Sequence, residues 1–229
     1  MKLKSSALWE AADMNSFAIT EQEFAAALDS RSKKPIYERL KKAHVGIAGL
    51  GGLGSNTACA LARNGIGKLT IADFDKVELS NINRQLYTLA DIGKPKTQAL
   101  TSILGGINPF CRIESHNVKI TEENCADIFK DCDIICEAFD RPDQKAMLVN
   151  TLLEKFPEKY IVSGSGMAGW GRANEITTRR ITDRFFICGD GVTDVADGEG
   201  LTAARVIICA GHQASKIIEI ILNSLNSEN

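Results

Sequence analysis

His44-Val45-Gly46-Ile47-Ala48, Gly49-Leu50-Gly51-Gly52-Leu53-Gly54 and Ser55-Asn56-Thr57-Ala58-Cys59-Ala60-Leu61-Ala62 follow one another without a gap. The first run is short and apolar and reads as a buried strand. The last is rich in small residues and reads as a helix. The six residues between them carry glycine at Gly49, Gly51 and Gly54 in the G-x-G-x-x-G spacing, with a further glycine at Gly52. Glycine permits a tight turn and lets the backbone approach an anion. A helix N-terminus adds unpaired N–H groups and a partial positive charge. The stretch predicts a phosphate-binding turn between a strand and a helix. Dehydrogenases, flavin enzymes and nucleotidyl transferases share such turns, so the residues downstream decide among them.

The next strand, 68–73, ends on Asp73, about 20 residues past the glycines, where a carboxylate reaches a ribose. NAD and ATP fit equally well to this point. The loop Asp73-Phe74-Asp75-Lys76-Val77-Glu78-Leu79-Ser80-Asn81-Ile82-Asn83-Arg84-Gln85-Leu86 separates them. A dehydrogenase has no use for Asp, Asn, Arg and Gln packed beyond the ribose carboxylate, whereas a triphosphate enzyme does. The planar fork of Arg84 suits phosphate oxygens. Lys96, in Gly93-Lys94-Pro95-Lys96 at the start of a helical run, is placed to bring a second cation. Glu78 and Lys94 read as solvated side chains.

The strings GLGGLGSN, ADFDKVELSNINRQ and GKPKTQAL resemble the ThiF/MoeB/HesA group, bacterial relatives of the ubiquitin-activating enzymes. The resemblance runs from about residue 40 to residue 222. It implies ATP and Mg²⁺, and adenylation of the C-terminal Gly-Gly carboxylate of a small ubiquitin-fold sulfur carrier such as ThiS or MoaD, with release of pyrophosphate. ThiS, of thiamine biosynthesis, is the carrier expected, because the short form without zinc resembles a ThiF subgroup. By the resemblance, Gly49, Gly51, Gly52 and Gly54 cradle the nucleotide and Asp73 contacts its ribose. Asn83, Arg84 and Lys96 face the phosphates, and Asp75 and Gln85 complete the nucleotide set. Asp140, in Cys136-Glu137-Ala138-Phe139-Asp140-Arg141, takes the place of the Mg²⁺-binding Asp after the fourth strand. Members usually form two-fold dimers in which one protomer lends an Arg to its neighbour, and Arg31 is the candidate. Some relatives link the carrier to a cysteine in the crossover region. Cys188, read as opening a mobile loop over 188–200, is the candidate. Many members hold a structural Zn²⁺ with two C-x-x-C pairs. This chain has no C-x-x-C, and Cys132 and Cys136, four apart on an expected strand, would lie roughly 13 Å from one another, so no zinc is expected.

These assignments agree with the chemistry. A carboxylate attacking the α-phosphorus builds charge on oxygens that already carry it. Catalysis is then positioning and electrostatic stabilisation, and the substrate carboxylate is itself the nucleophile. Each residue has a plainer reading. Asp75 could be a solvated loop carboxylate, Arg84 a surface ion-pair partner, Asp140 a cap for the helix that opens near Pro142, and Cys188 an inert thiol at a strand end. His44, His116 and His212 show no metal-ligand spacing and read as structural. Other enzymes on the same core, such as a tRNA-modifying dehydratase or a peptide adenylating enzyme, are the alternatives, with a non-catalytic carrier-binding subunit behind them.

At 229 residues and 44% hydrophobic content the chain can bury one sizeable core. A net charge of −2 argues against a dedicated nucleic-acid binder. No apolar run is expected to span a membrane, the N-terminal residues carry no secretory h-region, and seven cysteines without paired spacing point to a reducing cytoplasm. Two short helices are expected over 16–42, forming an N-terminal segment (1–42), with a possible capping box at Thr20 and Glu23. A single nucleotide-binding domain follows (43–229). Its expected elements alternate: strand 44–48, helix 53–64, strand 68–73, helix 95–105, strand 111–118, helix 121–130, strand 132–138, helix 142–155, strand 159–164. Short antiparallel strands are expected near 172–181, and an apolar helix over 201–223. The pattern defines an α/β, Rossmann-like, mainly parallel sheet with helices on both faces.

Overall fold

The computed structural model describes residues 19–224. The expected helix start at residue 16 and the N-terminal run without an h-region lie outside the described residues. α1 (Glu21–Asp29) begins with the capping box: the Thr20 hydroxyl accepts the Glu23 N–H at 3.2 Å, and the Glu23 carboxylate accepts the Thr20 N–H at 2.7 Å. α2 (Tyr37–Lys42) buries Tyr37 and Leu40. Leu40 joins the main core, so packing runs continuously across the expected boundary at residue 42.

Strands and helices then alternate as β1 (His44–Ala48), α3 (Gly52–Arg63), β2 (Lys68–Ala72), α4 (Lys96–Ile107), β3 (Arg112–His116), α5 (Glu122–Phe129), β4 (Ile134–Glu137), α6 (Pro142–Lys155) and β5 (Tyr160–Gly164). Every end lies within two residues of its expected position. β6 (Thr177–Arg180), β7 (Phe185–Gly189) and α7 (Ala203–Ser224) follow. The sheet order is β3-β2-β1-β4-β5-β7-β6. Every neighbouring pair is parallel except β6 with β7; β6 lies within 172–181, where antiparallel strands were expected, and its partner β7 lies beyond that stretch. The order reverses between β1 and β4, and the crevice at the carboxyl ends of these two strands is where doubly wound sheets take their ligands.

Strand residues alternate between two cores. Val45 and Ile47 of β1, Leu69 and Ile71 of β2, Ile134 and Cys136 of β4 and Val162 of β5 pack with α2, α3, α4 and α7. Ala48, Ala72, Ile135 and Ile161 pack on the other face with α5 and α6. Gly46 lies opposite Phe129 of α5, where a Cβ would sit 2.6 Å from the ring. Continuous apolar strands buried on both faces are what a parallel sheet covered by helices requires.

Two expectations are corrected here. Ala203–Asn223 is long and apolar enough to cross a membrane by length and composition, with a mean hydropathy of 1.2. In the fold it is a core helix, burying Val206, Cys209, Ala210, Gln213, Ala214, Ile217 and Ile221 on one stripe. The stretch 188–200 is not wholly a loop. Cys188 and Gly189 end β7, because Phe186 and Cys188 continue the buried alternation of that strand.

Candidate active site

Packing fixes three of the four loop glycines. Gly49 has φ +87°, and a Cβ there would stand 3.0 Å from both the Ala138 carbonyl oxygen and the Phe139 ring. At Gly54 it would fall 1.9 Å from the Gly49 carbonyl oxygen, and at Gly52 2.8 Å from Val206 of α7. Gly51 differs. Within 4 Å its Cβ would meet only the Gln85 amide nitrogen, at 3.8 Å. No side chain caps α3, so the positive end of that helix faces the open space above Gly51.

Asp73 follows β2 directly and is buried. Its Oδ2 accepts the Leu50 N–H at 2.7 Å and its Oδ1 accepts the Asp75 N–H at 2.8 Å, tying β2 to the glycine loop. Each oxygen keeps a lone pair for a ligand. The polar loop folds back onto the start of α4, with the Val77 N–H on the Lys94 carbonyl at 2.9 Å and the Lys96 N–H on the Asp75 carbonyl at 2.9 Å. Lys96 is itself buried. Its Nζ donates to Asp75 Oδ2 at 2.7 Å and lies 3.9 Å from Asp73 Oδ2. Arg84 lies against the glycine loop, its Cγ 3.5 Å from where a Gly52 Cβ would be. Its Nη1 donates to the Ser80 carbonyl and to Asn83 Oδ1, each at 2.9 Å. Gln85 is buried beside Gly51, and its Oε1 has no hydrogen-bond partner.

Three supporting residues escaped the sequence reading. The Asn56 amide bridges the carbonyls of Gly52 at 2.6 Å and Arg84 at 3.0 Å. The Ser55 hydroxyl donates to the Gly51 carbonyl at 2.7 Å and accepts the Leu86 N–H at 3.2 Å. The buried Tyr87 hydroxyl donates to the Leu50 carbonyl at 2.9 Å, and burial first, then the carboxylates of Asp73 and Asp91, push that phenol well above its ordinary range. All three fasten the polar loop to the glycine loop. Ser55 and Asn56 close the GLGGLGSN string and Tyr87 follows the polar loop, but nothing in the sequence names the backbone groups that they hold.

Asp140 lies just beyond β4, exposed, and has no polar partner among the described residues. The residue at the helix cap of α6 is Arg141, without a side-chain cap bond, so Asp140 does not serve as the cap. Three residues earlier, Glu137 is fully buried. Lys145 Nζ lies 3.1 Å from both its oxygens, Ser163 donates to Oε2, and the Phe139 N–H reaches Oε1 at 2.7 Å. A carboxylate inside a buried strand end was not singled out, because its charge partner lies eight residues away on another element.

Cys188 lies in β7 rather than at the opening of a loop. Its side chain is buried in β7 against α7, with Sγ 3.6 Å from the Thr178 hydroxyl. Burial raises its thiol pKa, outweighing the help from Thr178 and Lys216, so the reactive thiolate is scarce at neutral pH. All seven cysteines are buried and free. A thiol-specific chromogenic reagent should therefore find almost no fast-reacting thiol in the native protein and seven after denaturation. One rapid equivalent that disappears in Cys188→Ala would restore the covalent reading. Arg31 is exposed in the turn after α1, with no polar contact among the described residues.

The segment after β7 is anchored by a buried ion pair. Arg205 of α7 is 1% exposed; it donates to the Gly171 and Arg172 carbonyls at 2.7 and 2.8 Å and pairs with Asp190. Burial disfavours the Asp190 anion, yet the N–H groups of Thr193 and Val192, the Thr193 hydroxyl and Arg205 together hold its pKa down to about 2. A carboxyl lowered on folding stabilises above its unfolded pKa and loses that contribution as pH falls through the folded one. Asp190→Asn should thus cost about 2 kcal/mol at pH 7, the difference shrinking between about pH 4 and pH 2. Urea unfolding of both proteins at each pH measures it, and a gap independent of pH would refute the linkage.

The fold and this site define a doubly wound α/β domain with a glycine loop, a buried carboxylate and two cations near the strand carboxyl ends. The chain belongs to the ThiF family, whose model matches residues 24–229. It is 34% identical over 131 residues to a sulfur carrier protein adenylyltransferase of Thermus thermophilus, covering 57% of this chain and 43% of that protein. It is 32% identical over 194 residues to the adenylyltransferase and sulfurtransferase MOCS3 of Anopheles gambiae, covering 81% of this chain and 43% of that protein. The chain thus spans less than half the length of these relatives. Among solved structures, E. coli tRNA N6-threonylcarbamoyladenosine dehydratase, TcdA, in complex with ATP, superposes with a TM-score of 0.82 at 20% identity, over 93% of this chain and all of that one. At that identity the likeness concerns the fold.

Proposed function

We propose that this domain uses ATP and Mg²⁺ to adenylate the C-terminal Gly-Gly carboxylate of a ubiquitin-fold sulfur carrier, ThiS foremost, and releases pyrophosphate. The observation that carries the reading is the gathering of Lys96, Asp73 and Arg84 around an uncapped helix N-terminus and the open face of Gly51. In this reading the α3 N-terminus and the loop amides receive phosphate oxygens, Asp73 receives the ribose hydroxyls with its remaining lone pairs, and the orphan Gln85 Oε1 gains a donor. Lys96 turns from Asp75 towards the phosphates as they arrive. Arg84 exchanges backbone and Asn83 partners for phosphate oxygens. The carrier carboxylate attacks the α-phosphorus, forming the acyl–phosphate bond as the bond to pyrophosphate breaks, while the two cations stabilise the charge that builds. An exposed carboxylate without partners, beside the glycine loop, suits Asp140 to hold Mg²⁺, which when bound neutralises phosphate charge. Arg31 is the side chain free to reach a neighbour's nucleotide in a two-fold dimer.

ATP with Mg²⁺ should raise the melting temperature, and NAD should not, because a ligand that binds the folded state alone stabilises it. ATP–pyrophosphate exchange should appear when a Gly-Gly-ended carrier is added. Stabilisation by NAD without ATP would overturn the reading. A tRNA-modifying dehydratase is the second reading, since the TcdA chain has this same fold over its full length. It predicts ATP turnover that depends on tRNA and is indifferent to a carrier.

A further inference from the structure

We infer that Glu137, held by Lys145 and Ser163, is a positioning residue for the turn that carries Asp140. The inference rests on the adenylation reading. Glu137 ends β4 at the switch point, with its side chain wholly buried. Lys145 of α6 lies 3.1 Å from both its oxygens and also donates to the Gly164 carbonyl at the end of β5, at 2.7 Å. Ser163 of β5 donates to the second oxygen. The first oxygen then accepts the Phe139 N–H at 2.7 Å, across a two-residue span that leads directly to Asp140. The Glu137 carbonyl accepts Gln213 of α7 at 3.0 Å. The turn also bears on the glycine loop, since the Ala138 carbonyl and the Phe139 ring both close on Gly49. One carboxylate thus links β4, β5 and α6 to the backbone that aims Asp140, which has no polar contact of its own.

Stability does not require a charged pair here, because a buried ion pair replaced as a whole by apolar residues is often neutral or stabilising. What apolar residues cannot do is hold the Phe139 N–H. A partner that orients a metal-binding group changes metal affinity or activity by about 10- to 100-fold when removed.

The test replaces the whole cluster, as Glu137→Leu/Lys145→Met/Ser163→Ala, so that no buried charge is left behind. The single Glu137→Gln keeps an acceptor for the Phe139 N–H. In the folded triple variant, amide hydrogen exchange at Phe139 should quicken at least about tenfold. The Mg²⁺ concentration for half-maximal ATP–pyrophosphate exchange should rise by about tenfold, with KM for ATP changed far less. Glu137→Gln should recover most of both losses. A folded triple variant with unchanged Phe139 exchange, or with the parent's Mg²⁺ dependence, overturns the inference. Absence of ATP–pyrophosphate exchange in the parent protein overturns the adenylation reading instead, and Phe139 exchange then decides the positioning role alone.

Discussion

Lys96→Ala lowers ATP–pyrophosphate exchange by about 10²-fold or more, the scale for losing one preorganised charge from a phosphoryl transition state. The magnitude follows from where the ammonium sits. Lys96 is buried at the first turn of α4, 2.7 Å from Asp75 and 3.9 Å from Asp73, so its ammonium already stands at the site that the phosphates enter. Its removal leaves Asp73 and Asp75 facing the same space without a counter-charge, so ATP is repelled as well as unassisted. Both KM for ATP and kcat should worsen. Arg84→Ala should also lose about 10²-fold, but more in kcat than in KM, since Arg84 is only half-buried and must leave the Ser80 carbonyl and Asn83 to act. Near-parental exchange in both variants would remove these residues from the reaction.

Gly54→Ala destabilises the protein by about 3 kcal/mol or more, whereas Gly51→Ala leaves stability within about 0.5 kcal/mol and weakens ATP binding. The two glycines lie three residues apart in one motif. An added methyl at Gly54 would fall 1.9 Å from the Gly49 carbonyl oxygen, and that backbone cannot retreat because Gly49 is itself closed in by Ala138 and Phe139. At Gly51 the methyl meets one side-chain nitrogen at 3.8 Å and otherwise enters the space assigned to phosphate. Urea unfolding and ATP titration measure the two effects separately. Equal stability loss in both variants would mean that Gly51 too is fixed by packing.

Much of this was legible in the chain because it is local. The apolar run 44–48, the glycine spacing and Asp73 are contiguous features, and β1, α3 and β2 form where they predict. The spacing could not reveal which glycines serve the fold and which the ligand, since that depends on Ala138 and Val206, distant in sequence. Cys188 was misplaced for a related reason. Gly189, Gly191 and the nearby aspartates suggest a loop, yet Phe185 to Gly189 pairs along β5 and β6 and its alternation of burial prevails. The Glu137–Lys145 and Asp190–Arg205 pairs were invisible because each joins separate elements, and nothing in the local pattern names a partner. The expectation that no apolar run could span a membrane failed at α7, whose length and composition suit a bilayer, because only its packing on α3 and the sheet shows it to be a core helix.

The packing of α7 on α3 has a consequence for biosynthesis. The glycine loop, Asp73, Arg84, Lys96 and Asp140 leave the ribosome early. The helix that packs on α3, α7, brings Val206, Ala210 and Ile217 into the core shared with Leu53, Ala58 and Leu61, and is translated some 150 residues later than α3. Until then the nascent nucleotide site rests on a helix with an uncovered apolar side, a surface of the kind that recruits chaperones and drives aggregation. Fragments that stop after β5 would carry every residue assigned to ATP and still lack the lid on their core, so expression of such fragments should yield insoluble protein while the chain through α7 stays in solution.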